Sequence, residues 1–272
     1  MKTRIQKAID LLRDLIRIQS YSREEHGTAK VIQDFFKMEG IPTERIHNNI
    51  IVKSKSFQTD RATVILNSHH DTVKIGEGWT HDPLGANVVE DKLYGRGSND
   101  AGGCLVSLIA AFCHLYHKEL PYNLMLVASG EEENFGPNGV SSVLETLDLE
   151  PDLGIIGEPT FVIDCRINEN YTLQEVFDTL QIGTHSNLTP RSLRWHSSGI
   201  DKEHPIVQVG MSIGRNIFGS PTLSDQVHFT CPTIKIGPGK SERSHTSDEY
   251  VRLSEIQEAI PIYIQLLEQL KM

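Results

Sequence analysis

The chain has 272 residues, 38% hydrophobic and 23% charged, enough for one large domain or two small ones. A formal net charge of −10 and a pI near 5.6 argue against nucleic acid or an anionic membrane as the main partner. No apolar run approaches the roughly 18 residues needed to span a bilayer.

The opening segment, MKTRIQKAIDLLRDLIRIQ, carries charges throughout and does not read as a signal peptide. Its Ile5, Ile9, Leu12 and Ile16 recur at helical spacing and predict an amphipathic helix over 3–19. A second helix is expected over about 24–39. TVILNS (63–68) reads as a buried strand, 100–119 as a helix, NLMLVAS (123–129) as a strand and 139–147 as a short helix. LGIIG (153–157) is another apolar run ending in a turn, PTIKIG (232–237) a late strand, and 253–271 a closing amphipathic helix. Strands alternating with helices imply an α/β fold with helices on both faces of the sheet. The cysteines, Cys104, Cys113, Cys165 and Cys231, form no CxxC pair. They are expected to be reduced packing residues of a cytoplasmic protein.

Sites in open α/β folds form at the carboxyl ends of strands. Three apolar runs end there in acids or histidines: His69-His70-Asp71, Ser129-Gly130-Glu131-Glu132-Glu133 and Gly157-Glu158-Pro159. Asp100 lies in GRGSNDAGG, a glycine-flanked turn entering a helix, and His245 follows the late strand in GPGKSERSHTSDEY. Each motif alone is weak. A lone histidine is usually structural, EEE is usually a solvated charge run, and GRGSNDAGG lacks the spacing and the lysine of a phosphate loop. Their repetition at strand ends is what carries weight. So many carboxylates buried together need compensating positive charge. Divalent metal supplies it, and mixed imidazole and carboxylate ligands suit zinc, with cobalt or manganese as substitutes. In H-x-D, Asp71 points to the same side as His69 and can orient it, while His70 points the other way and reads as packing or support. Adjacent glutamates in the turn can divide labour, one holding metal and its neighbour acting as general base. A glycosidase built on paired carboxylates would not need the histidines.

SHHDTV, WTHDP, LYGRGSNDAGG, SGEEE, GEPT and RSHTSDEY occur in this order. The chain thereby resembles the zinc-dependent amidohydrolase family that includes acetylornithine deacetylase, succinyl-diaminopimelate desuccinylase, aminoacylase and carboxypeptidase G2. The resemblance covers residues 1–160 and roughly 185–272. It implies a mixed, mostly parallel sheet and two zinc ions sharing Asp100. His69 and Glu158 would complete one site, and Glu132 and His245 the other. Glu131 would be the general base and acid, and Asp71 would hold His69. The implied activity is hydrolysis of the amide of an N-acyl amino acid, a small-molecule substrate. GEPT, SPTLSDQ (220–226) and GPG (237–239) look most like the acetylornithine deacetylase branch of arginine biosynthesis. N-succinylornithine and N-acetylcitrulline are the alternative substrates. A metallo-dipeptidase or aminopeptidase of the same family, or a metal-binding scaffold, are the competing readings.

After GEPT, relatives continue into an inserted lid domain that carries the dimer surface and a glycine-histidine motif reaching the neighbouring subunit's site. Here GEPT runs directly into FVIDCRINENYTLQEVFDTL, and no G-H-[AS] motif follows Thr160. The expectation is one catalytic domain, 1–160 and 185–272, with 161–184 as a remnant of the lid. Loss of the lid would remove the family's dimer surface and weaken turnover while leaving the metal ligands in place.

Overall fold

The buried strands alternate their apolar side chains between two faces, as extended chain must. In β2 (Asn49–Lys53), Ile50 and Val52 face one way and Ile51 the other; in β3 (Thr63–His69), Val64 and Leu66 oppose Ile65. In β6 (Asn123–Ser129), Leu124, Leu126 and Ala128 oppose Met125 and Val127, and in β7 (Leu153–Ile156), Leu153 and Ile155 oppose Ile156. Both sets are buried, so the sheet needs a cover on each side. The computed structural model describes residues 1–159, 199–219 and 224–272.

The larger face is covered by α1 (Lys2–Ile16), α2 (His26–Met38), α3 (Gly103–Leu115) and the closing helix α6 (Leu253–Gln269). A short helix, α5 (Pro205–Ser212), adds Ile206 and Val207 to that core. The smaller face is covered by Val140 and Val143 of α4 (Val140–Thr146) together with Phe229. The six-stranded sheet runs β1 (Glu44–Ile46), β2, β6, β3, β7, β8 (Thr233–Lys235). Pairings β6–β3, β3–β7 and β7–β8 are parallel; β1–β2 and β2–β6 are antiparallel. The sheet is thus mixed and mostly parallel, with helices on both faces, as expected. A second, antiparallel sheet joins β4 (Asn87–Val89), β5 (Lys92–Tyr94) and β9 (Tyr250–Arg252).

The long elements lie where periodicity puts them. Outside the predicted set are the β1–β2 hairpin, the small sheet and α5. Three-residue strands are too short to display alternation, and the hairpin turns use His47 (φ 53°) and Glu90 (φ 54°) rather than the glycine that marks a tight turn. The predicted helix from residue 100 starts later, at Gly103, because Ser98–Gly102 form a tight turn that presents Asp100. The expected lid remnant, 161–184, lies outside the described residues. Among the described residues no helix is long and apolar enough to cross a membrane.

Register decides where the chemistry lies. His69 of β3 pairs with Ser129 of β6, and Asn67 pairs with Ile156 of β7. The three central strands therefore end together, and the residues that follow them enter one crevice.

Phe112, fully buried on α3, meets Phe36 edge-on at 6.3 Å and Tyr116 at 6.2 Å. Phe112→Ala should cost about 3–5 kcal/mol, read as a lower denaturant midpoint in urea unfolding.

Candidate metal centre

His69 ends β3 with its ring 1% exposed. Its Nε2 lies 3.3 Å from Asp100 Oδ1, 3.7 Å from Glu158 Oε1 and 3.8 Å from Glu132 Oε2. The other oxygen of Asp100, Oδ2, lies 3.3 Å from His245 Nε2, which is 2.9 Å from Glu133 Oε2. Asp100 is therefore shared by two groups, His69–Asp100–Glu158 and Asp100–Glu133–His245, within each of which the donor atoms lie within 4.8 Å of one another.

Asp71 supports this arrangement in two ways. Its Oδ1 lies 3.4 Å from His69 Nδ1, and its backbone carbonyl is 3.0 Å from the same nitrogen. Its carboxylate also accepts the backbone N–H of Glu132 and of Glu133, each at 3.1 Å, and the Ser22 hydroxyl at 2.7 Å. The glutamate turn is anchored amide by amide: Gly130 N–H donates to Asn49 Oδ1 and Glu131 N–H to Glu25 Oε1, both at 3.0 Å. His70 faces away, as expected. Its Nδ1 meets the Thr28 hydroxyl at 2.8 Å and its Nε2 the Asn48 carbonyl at 3.0 Å.

Two placements differ from the sequence expectation by one residue. Glu133, rather than Glu132, reaches His245 and Asp100. Glu132 instead stands beside His69. Glu131, expected as the base, turns away: its carboxylate accepts from Asn138 Nδ2 at 2.9 Å and lies 3.9 Å from Arg23 Nε. The cause is local. Glu131 adopts φ 56°, reversing the chain as it leaves β6, and Gly136 makes room for the side chain. A Cβ at residue 136 would lie 1.8 Å from Glu131 Oε2. Three consecutive glutamates carry no sequence signal for which one the turn aims inward. Asp225, for which the sequence carries no such signal, is buried and accepts the Ser129 hydroxyl at 2.5 Å.

The electrostatics are those of a site rich in negative charge. Burial pushes Glu158 up to about 8 and Glu132 well above the usual carboxylate range, and neighbouring carboxylates add to both shifts. Burial would lower His69, but Glu132, Asp100, Asp71 and Glu158 together hold it well above its usual value. Bonds to Asp100 and Glu133 raise His245 to about 10. Glu158 Oε1 is buried without a hydrogen-bond partner. An orphaned carboxylate oxygen, two imidazoles and a shared aspartate make a donor set that fits two divalent cations. His69, Asp100 and Glu158 are the residues that would hold one cation, and Asp100, Glu133 and His245 those that would hold a second.

The sequence profile of Peptidase family M20/M25/M40 matches residues 65–269. Among curated proteins, the chain is 28% identical over 246 residues to succinyl-diaminopimelate desuccinylase 2 of Ruegeria sp. (strain TM1040), covering 85% of this chain and 59% of that protein. It is 30% identical over 166 residues to succinyl-diaminopimelate desuccinylase of Gluconobacter oxydans (strain 621H), covering 56% and 42%. The chain spans about half the length of the curated relatives it matches. Among solved structures, the M20 family metallo-carboxypeptidase Sso-CP2 from Sulfolobus solfataricus superposes with a TM-score of 0.70 at 13% identity, covering 99% of each chain. The Bacillus subtilis YXEP protein, described as a dinuclear metal binding peptidase from the M20 family, superposes with a TM-score of 0.70 at 13% identity, covering 99% of this chain and 100% of that one.

Titration with Co²⁺ alone should show two equivalents bound, with protons released as the histidines and acids give them up. Asp100→Asn should bind fewer than two, whereas Glu131→Gln should retain both; calorimetry of the three proteins measures this. His70 offers a test of pH. Burial lowers it from 6.5 to about 4, so as pH falls the unfolded chain takes up this proton before the folded chain does. Stability should be lost between those values at roughly 1.4 kcal/mol per pH unit. The difference in unfolding free energy between wild type and His70→Gln, followed with pH, isolates that contribution.

Proposed function

The chain belongs to peptidase family M20/M25/M40, and from that premise we propose that it hydrolyses the amide bond of an N-acyl amino acid. The observation that carries the reading is Asp100, whose two carboxylate oxygens each face a different histidine at 3.3 Å. In this reading His69, Asp100 and Glu158 hold one divalent cation, and Asp100, Glu133 and His245 hold the other. Zinc is the first choice, with Co²⁺ or Mn²⁺ as substitutes. Two such ions would supply Lewis acidity, polarising the acyl carbonyl and acidifying water.

Glu132 is the base. It is buried beside His69 at 3.8 Å and belongs to neither group of candidate donors, and burial raises its pKa, which suits a group that both accepts and returns a proton. It takes the proton of the attacking water as the C–O bond forms. It delivers that proton to the amide nitrogen as the C–N bond breaks, releasing a carboxylic acid and a free amine. Asp71 keeps Glu132 and Glu133 in register through their amides and holds His69.

The substrate is an N-acyl amino acid. SPTLSDQ and GPG support N-acetylornithine, with N-succinylornithine and N-acetylcitrulline beside it, and hence arginine biosynthesis. The relatives named succinyl-diaminopimelate desuccinylase support a succinyl group on a diamino acid, and we place that class first. In this reading residues 1–160 and 185–272 form the catalytic domain. The family's homodimer would require a lid that the segment 161–184 is too short to supply.

Release of free amine from N-succinyl-diaminopimelate, N-succinylornithine and N-acetylornithine should require added Zn²⁺ or Co²⁺ and be abolished by a chelator. Glu132→Gln should bind metal normally and lose about 10²–10⁴ in kcat. Glu131→Gln should lose little; a large loss there together with full activity of Glu132→Gln would return the role of base to Glu131.

A further inference from the structure

Asp100 serves both halves of the centre only if its backbone is held against two separate parts of the chain. One is the strand β3 end carrying His69, and the other is the loop carrying His245. Its turn, Ser98–Gly102, is not a regular helical segment: Asp100 itself has φ −115° and ψ 98°. Helical hydrogen bonds therefore do not fix it, and other acceptors must.

Those acceptors come from a single side chain. Glu249, 1% exposed, precedes β9 and turns its carboxylate under the turn. Its Oε1 accepts the backbone N–H of Asn99 and of Asp100, each at 2.9 Å. Its Oε2 accepts the N–H of Gly97 at 3.2 Å and Nη1 of Arg96 at 2.9 Å. The Glu249 carbonyl takes the N–H of Gly95 at 3.0 Å. Asn99 returns the contact from the other side: its Oδ1 accepts the Lys240 N–H at 3.0 Å, and its Nδ2 donates to the Lys240 carbonyl at 3.0 Å and the Ser244 hydroxyl at 3.2 Å. The Asp100 turn and the 240–249 loop are latched reciprocally, and His245 lies within that loop.

A buried ion pair is a poor source of stability, because apolar replacement is often neutral or favourable. Its presence here calls for another reason, and the carboxylate's remaining hydrogen bonds supply one: they go to the amides of Gly97, Asn99 and Asp100, at the entry to and within the turn that carries Asp100. We propose that Glu249 is a positioning residue that holds the Asp100 backbone in register with the His245 loop, so that one carboxylate can serve both half-sites. The inference rests on the two-cation reading of the centre. Glu249 acts through Asp100 and touches none of the reacting atoms.

The test uses the full chain and Co²⁺ alone. Glu249→Gln keeps size but replaces one accepting oxygen with a donor and removes the charge. Glu249→Asp keeps the charge but is too short to span both Arg96 and the three amides. Arg96→Lys keeps a cation beside Glu249 and leaves its amide contacts in place. Both Glu249 variants, with the fold checked by circular dichroism, should bind the second Co²⁺ about 10–100-fold more weakly and change the visible Co²⁺ absorption band. Arg96→Lys should keep the wild-type band and affinity. Should Glu249→Gln fail to fold, Glu249→Asp carries the same readout. Unchanged affinity and band in a folded Glu249 variant overturn the proposal, and so does an equal change in Arg96→Lys, which would assign the effect to the ion pair. Wild type failing to bind two Co²⁺ would instead overturn the two-cation reading itself.

Discussion

Burial of like charge governs this protein's centre. Asp71, Asp100, Glu132, Glu133, Glu158 and Asp225 crowd the ends of three parallel strands, faced by the imidazoles of His69 and His245. Removing each carboxylate from water costs several kcal/mol even after relaxation. Hydrogen bonds offset part of that cost for Asp71, which takes two backbone amides and a hydroxyl. They do not offset it for Glu158, whose Oε1 is buried without a hydrogen-bond partner. The imbalance is itself the functional feature. A pocket so crowded with carboxylates is suited to cations, and burial together with the neighbouring carboxylates holds Glu132 well above the usual carboxylate range.

The scaffold handles this cost by separating orientation from ligation. Residues from the first third of the chain, Glu25, Asn49 and Asp71, take the successive amides of Gly130, Glu131, Glu132 and Glu133. The turn's backbone is thereby set independently of what its side chains do. Glu132 and Glu133 face the centre, and Glu131, itself buried, is committed to Asn138 instead. Metal sites whose supporting bonds are this complete lose less freedom on binding, since the ligands are already oriented.

The sheet contributes a different kind of order. Parallel pairing of β6, β3 and β7 brings residues separated by some sixty to ninety positions to one edge. Fully buried strands tolerate this because their apolar residues are covered on both faces. The same parallel topology brings the β8 end, and the loop that follows it, toward the crevice that His69 enters.

Much of this was legible in the amino-acid order. Apolar runs of four to seven residues ending in acids or histidines specify buried strands with chemistry at their ends, because strand length and side-chain type are local properties. The inward acids His69 points among, and the outward role of His70, follow from the two-residue repeat of extended chain. What the order left open was decided by dihedral angles and long-range contacts. Glu131, Glu132 and Glu133 are chemically identical, and only the positive φ at Glu131 with the space left by Gly136 selects the two that face inward. Glu25 sits in unremarkable sequence, and Glu249 in RSHTSDEY carries no local sign of what it bonds; they meet their amides across 106 and 149 residues of chain. Such pairings are set by how the sheet closes, which no local pattern encodes.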